Sequence, residues 1–144
     1  METMRILNLN ALVAGGLAAA FVAAAAATAH ASPSLTPPSV IAFDQAAKGG
    51  EIRLDYAFLP AKGYAVIYGA DADGAPVKKA LGVAELAPGD HRGVKVKLDS
   101  VPKAGTSVWV GLYSDSDAKP GFTKDADASF FAGGLPQQNR ILLQ

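Results

Sequence analysis

Four aspartates crowd one stretch near the end of the chain: Asp115, Asp117, Asp125 and Asp127. Several hard oxygen ligands on one flexible loop are what calcium requires. The spacing departs from the Asp-x-Asp-x-Asp-Gly run of an EF-hand, because Lys119 stands at the third position and Pro120 follows. Lys124 adds a compensating charge. The plain reading is a solvated loop whose aspartates bond their own turn backbone, with no cofactor. Calcium held by the 115–127 loop is the alternative. Asp71 and Asp73, with Gly74 behind them, read as ordinary tight-turn chemistry.

Aromatic residues make the second constellation. Tyr64 and Tyr68 share one face of an extended segment, and Trp109 and Tyr113 share one face of another. Exposed, the four rings would form a stacking platform for a sugar or a protein, because flat amphipathic rings give contact area at low entropic cost. Buried, they would be core, the commoner fate of large aromatics. Val66 sits on the same face as Tyr64 and Tyr68, which fits the buried case.

Catalysis has little to work with. Beyond residue 31 the chain has one histidine, His91, in the turn-like run GDHRG. A hydrolase of the Ser-His type needs a nucleophile, a base and an orienter, and no Gly-x-Ser-x-Gly elbow is present. A zinc site needs three or four ligands, which one histidine and scattered carboxylates do not supply. There is no cysteine, which excludes disulfides, thiol nucleophiles and iron–sulfur clusters. The expectation is that the protein is not an enzyme. Basic and acidic residues balance at 13 each, so no charge excess favours nucleic acid or an anionic membrane.

The elements that would position these residues are strands. In residues 51–59, EIRLDYAFL, apolar side chains alternate with polar ones, the period of a half-buried strand. Residues 63–69, GYAVIYG, are apolar on both faces, as in a central strand. Val94, Val96 and Leu98 alternate with Lys95, Lys97 and Asp99, and Val108, Val110 and Leu112 form one face of 106–113. Residues 40–43 read as a short strand and 77–86 as an edge strand or a bulged pair of short strands, a helix there being poorly supported with Gly82 inside. Phe130-Phe131 and residues 141–143 supply a last strand or two. The expected core is Ile52, Leu54, Tyr56, Phe58, Val94, Val96, Leu98, Val108, Val110 and Leu112. Short strands separated by Gly/Pro turns, without a helical period, predict an all-β antiparallel sandwich of about seven strands over residues 39–144.

In residues 1–31, a leader carrying Arg5 precedes the run ALVAGGLAAAFVAAAAA and then Ala29-His30-Ala31. That is the layout of a secretory signal peptide, a signal helix cleaved before Ser32 on the general export route. No membrane anchor is then left. Residues 32–38, SPSLTPP, read as a Pro/Ser linker. The expected location is periplasmic or extracellular.

The order of short motifs carries a resemblance. It comprises Asp44-Gln45, Gly63-Tyr64-Ala65-Val66-Ile67, Leu81-Gly82 and Leu86-Ala87-Pro88-Gly89-Asp90-His91. Val94-x-Val96-x-Leu98 and Val108-Trp109-Val110-Gly111-Leu112-Tyr113-x-Asp115 follow. The chain resembles, across residues 40–131, an uncharacterised family of exported bacterial and archaeal immunoglobulin-like domains, a domain of unknown function. The resemblance implies a fold and an exported location, and no activity. The expected role is a non-catalytic binding or structural domain with an envelope or extracellular partner. A small-ligand or calcium-binding module, using the aromatic face or the 115–127 loop, is the alternative.

Overall fold

The computed structural model describes residues 36–144. The expected signal peptide and its helix, and the linker as far as residue 35, lie outside the described residues. Among those described, no helix is long and apolar enough to cross a membrane.

Among the described residues nine strands follow one another: β1 Ser39–Ile41, β2 Glu51–Leu59, β3 Gly63–Ala70, β4 Pro76–Leu86, β5 Gly89–Lys97, β6 Ser107–Ser114, β7 Phe131–Ala132, β8 Leu135–Pro136 and β9 Gln138–Leu142. Lys48–Gly50 forms a single 3-10 turn. The strands make a three-stranded sheet in the order β1-β2-β5, a four-stranded sheet in the order β4-β3-β6-β9, and the hairpin β7-β8. All pairings within these sheets are antiparallel. The fold is all-β, as the alternation predicts. The segment 40–43 extends less far than expected, and β5 begins at Gly89, where the sequence suggests a turn.

One core joins the two larger sheets. Ile52, Leu54, Ala57, Leu59 and Val96 come from the first sheet, and Ala65, Ile67, Val108, Val110, Leu112 and Ile141 from the second. β3, flanked by β4 and β6, is buried from Gly63 through Tyr68, as a run apolar on both faces requires. Two close approaches draw the sheets together. A Cβ on Gly82 of β4 would lie 2.4 Å from the Lys97 carbonyl oxygen, and the Asp99 amide donates to the Leu81 carbonyl at 2.7 Å. At the other side Gln45 forms a parallel bridge with Leu143.

Two members of the expected core are displaced. The alternation of β2 changes phase after Leu54, so that Ala57 and Leu59 enter the core in place of Tyr56 and Phe58. The change lies at Asp55, opposite Gly93 of β5, the position missing from an otherwise constant pairing. Gly93 has φ +63°, a left-handed conformation that interrupts the pleat and is open to glycine at little cost. Phe58 is still buried at 9% exposure, whereas Tyr56 is half-buried and donates its hydroxyl hydrogen to Asp90. Val94 packs on the core without being fully buried, and Ile52, Leu54, Val96, Leu98, Val108, Val110 and Leu112 lie where the sequence places them.

Candidate functional site

The pairing of β3 with β6 sets Tyr64 opposite Tyr113 and Tyr68 opposite Trp109. Because Ala65, Ile67, Val108, Val110 and Leu112 face the shared core, strict alternation turns these four aromatics to the outer face of the same sheet. The sequence-predicted group is therefore assembled, but as neither an open platform nor part of the main core. Tyr64, Val66 and Tyr68 form a second buried cluster, with Trp109, Tyr113, Ala80 and Phe122 packed against it. Gly111 lacks a side chain where the Tyr113 ring lies; an added Cβ would be 3.0 Å from its Cε2.

The lid of this cluster is the loop after β6. Phe122 meets Tyr64 edge-on at 5.8 Å between centroids and Tyr113 at 4.9 Å. The Lys124 ammonium lies 5.1 Å from the centre of the Tyr68 ring, and the Lys119 carbonyl accepts from the Tyr64 hydroxyl at 3.3 Å. On the adjoining β3–β4 turn, the Gly74 carbonyl accepts from Trp109 Nε1 at 2.9 Å, and Asp71 Oδ1 accepts from the amides of Asp73 and Ala75. Burial, with the charges of Asp115 and Asp127 behind it, raises the Tyr64 phenol above its ordinary range. Burial also raises Tyr68, and the neighbouring Tyr113 hydroxyl adds to the effect. A neutral phenol is the form that a poorly solvated site favours.

Asp127 ties the loop. It is 4% exposed, and its Oδ1 accepts from the Ser116 amide at 2.9 Å while Oδ2 accepts from the Thr123 amide at 2.8 Å. One carboxylate thus joins both arms of the loop with charge-assisted bonds. Asp117 Oδ1 accepts from the Lys119 amide at 2.9 Å, an Asx turn of the kind the sequence predicts. Asp115 lies at the neck, its side chain 6% exposed, with Oδ2 3.1 Å from the Lys62 ammonium. Lys62 also reaches Glu85 at 3.0 Å, and Glu85 and then Asp115 raise the Lys62 ammonium above its ordinary range. Carboxylate oxygens of Asp115, Asp117 and Asp127 lie within 4.8 Å of one another. Asp125 is exposed and outside this group, so three of the four predicted aspartates converge.

His91 stands apart from both features. Its Nε2 lies 2.7 Å from the Ala87 carbonyl oxygen, a contact that holds the connection into β5. Phe122 and Lys62 are the residues that the sequence reading passes over. An apolar ring inside the polar run KPGFTKD signals the first. No local pattern signals the second, since Lys62 meets Asp115 only through the β3/β6 pairing. The resemblance motif Asp44-Gln45 proves structural: Asp44 Oδ1 accepts from the Leu142 amide, and the Gln45 side chain bonds the Arg53 backbone in both directions.

No curated protein and no solved structure matches the chain. A family model described as "Domain of unknown function (DUF7282)" matches residues 38–138, which takes in all the strands of the first sheet, β3, β4 and β6, and the whole 115–127 loop. On that match the chain belongs to the DUF7282 family of domains of unknown function.

Proposed function

We propose that the protein is an exported, non-catalytic β-sandwich domain of immunoglobulin type that works through contacts with an envelope or extracellular partner. Export is supported by the signal-like pattern of residues 1–31. The immunoglobulin reading is supported by the strand orders, in which β1-β2-β5 corresponds to A-B-E and β4-β3-β6-β9 to C′-C-F-G.

The observation that carries the contact role is the β7-β8 hairpin. Phe131 pairs with Pro136 and Ala132 with Leu135, so Phe131 and Leu135 point to opposite faces of the ribbon. Both are exposed, at 57% and 69%. Gly133 and Gly134 have φ of +58° and +80°, the backbone of a tight two-residue turn. A short finger with apolar side chains on both faces suits insertion into a groove of another molecule, where a few buried anchors dominate binding.

The test is recovery of partners from the native envelope with the wild type and with a Phe131→Ser/Leu135→Ser variant. A partner held by the wild type and lost by an equally folded variant supports the reading. Equal recovery by both places the contact elsewhere, and turnover of a generic ester, phosphate or glycoside substrate overturns the non-catalytic role.

A further inference from the structure

We propose that the neck of the 115–127 loop is a site for one hard divalent cation of calcium's size, held by Asp115, Asp117 and Asp127. This goes beyond the contact role of the hairpin and does not rest on it. The convergence is the first observation: one carboxylate oxygen from each residue, all within 4.8 Å of one another. Three oxygens so placed share a point no more than about 2.8 Å from each, so a slight closing of the side chains brings all three to the calcium–oxygen distance of roughly 2.3–2.6 Å.

The second observation is independent of the cluster's shape. The Asp115 side chain is 94% buried, being 6% exposed, and its Oδ1 is buried with no hydrogen-bond partner. A buried carboxylate oxygen left without a donor is costly. Its other oxygen faces the Lys62 ammonium, so the neck already draws a cation. Lys62 is half-exposed and satisfies only Oδ2. With Lys62 turned toward Glu85 alone, a metal ion could take both oxygens of Asp115.

The donor set decides the class of ion. Only carboxylates converge, with no histidine among them, and the chain has no cysteine. All-oxygen ligands select hard cations over transition metals. Three protein carboxylates leave coordination positions for water, which suits weak binding of the kind seen in modules exposed to millimolar calcium. Asp127 already joins the two arms of the loop, so an ion at the neck would tighten the lid over Tyr64 and Tyr113. The sequence reading, which favours a solvated loop, has no access to the orphaned oxygen.

The test is calorimetric titration of the protein, purified as the cell delivers it and stripped with chelator, using calcium chloride. One ion per chain should bind, with a rise in melting temperature. Asp117→Asn, which keeps an acceptor for its turn, should weaken binding at least tenfold, and Asp125→Asn should leave it unchanged. Lys62→Met should tighten binding several-fold by removing the competing ammonium. No saturable binding at millimolar calcium overturns the proposal, as does equal weakening by Asp117→Asn and Asp125→Asn. Partner recovery through Phe131 and Leu135 is a separate readout, so either result can fail alone.

Discussion

Phe122 stands edge-on against Tyr113, with ring centroids 4.9 Å apart and planes inclined at 62°. That contact brings the loop after β6 against the outer face of the four-stranded sheet. Tyr64, Tyr68, Trp109 and Tyr113 have the chemistry of a stacking platform, but Phe122 and Lys124 of the chain's own loop stand against Tyr64, Tyr68 and Tyr113. Burial of Tyr64 and Tyr68 in this cluster contributes to stability.

Asp127 should matter most among the loop aspartates. In calcium-free buffer, Asp127→Ala should lower unfolding stability by about 1.5–3 kcal/mol, the worth of backbone bonds to a buried charged acceptor. Asp125→Ala, at an exposed site, should change it by under about 0.5 kcal/mol. Urea unfolding of both variants measures the difference.

The phase change in β2 gives a second contrast. Leu59→Ala should cost about 2–5 kcal/mol, because Leu59 is fully buried in the core. Tyr56→Ala should cost less, since its ring is only half-buried and its hydroxyl bond is at the surface. If Tyr56 proves the costlier of the two, the alternation runs unbroken through β2 and the core has been misplaced.

Glycine at position 63 is required by close packing. A Cβ there would lie 2.0 Å from the Tyr113 carbonyl oxygen, so Gly63→Ala must push β6 away from β3 and should cost at least about 1–3 kcal/mol. Gly69→Ala meets only ordinary contacts at 3.5 Å and beyond and should change stability by under about 1 kcal/mol. Thermal melting of the pair checks this.

Alkaline pH should destabilise the protein. The Tyr64 and Tyr68 phenols are raised by burial, so the folded state holds protons that the unfolded state releases near pH 10. The stabilisation is fully present below about pH 10 and is lost as pH rises beyond it, because the unfolded chain then binds fewer protons. Tyr68→Phe should shallow this loss, since it removes one of the two buried phenols that carry it. Tyrosinate absorbance followed against pH, beside circular dichroism, tests both points.

The parts of the fold that could be read from the sequence are those governed by local period. The limits of β2 follow from alternation and from Pro60, and β3 follows from a run apolar on both faces. Residues 77–86 left an edge strand and a bulged pair open; the chain forms one edge strand, β4, whose pairing with β3 shifts register around Tyr68. The phase slip at Asp55 was hidden, because it depends on the backbone of Gly93 in another strand. The candidate site was half legible. Spacing placed Tyr64 with Tyr68 and Trp109 with Tyr113, and the loop aspartates were evident. Which aspartates converge, that Lys62 meets them and that Phe122 closes over the rings all depend on non-local pairing, which carries no local signature.

The closed aromatic face is tested most directly by proton NMR of the folded protein. Nuclear Overhauser contacts from the Phe122 ring to the rings of both Tyr64 and Tyr113 are predicted, together with slow exchange of the Trp109 indole N–H bonded to the Gly74 carbonyl. A Phe122 ring with no contact to either tyrosine, and loop amides from 116 to 127 exchanging as fast as in an unfolded chain, would contradict the account.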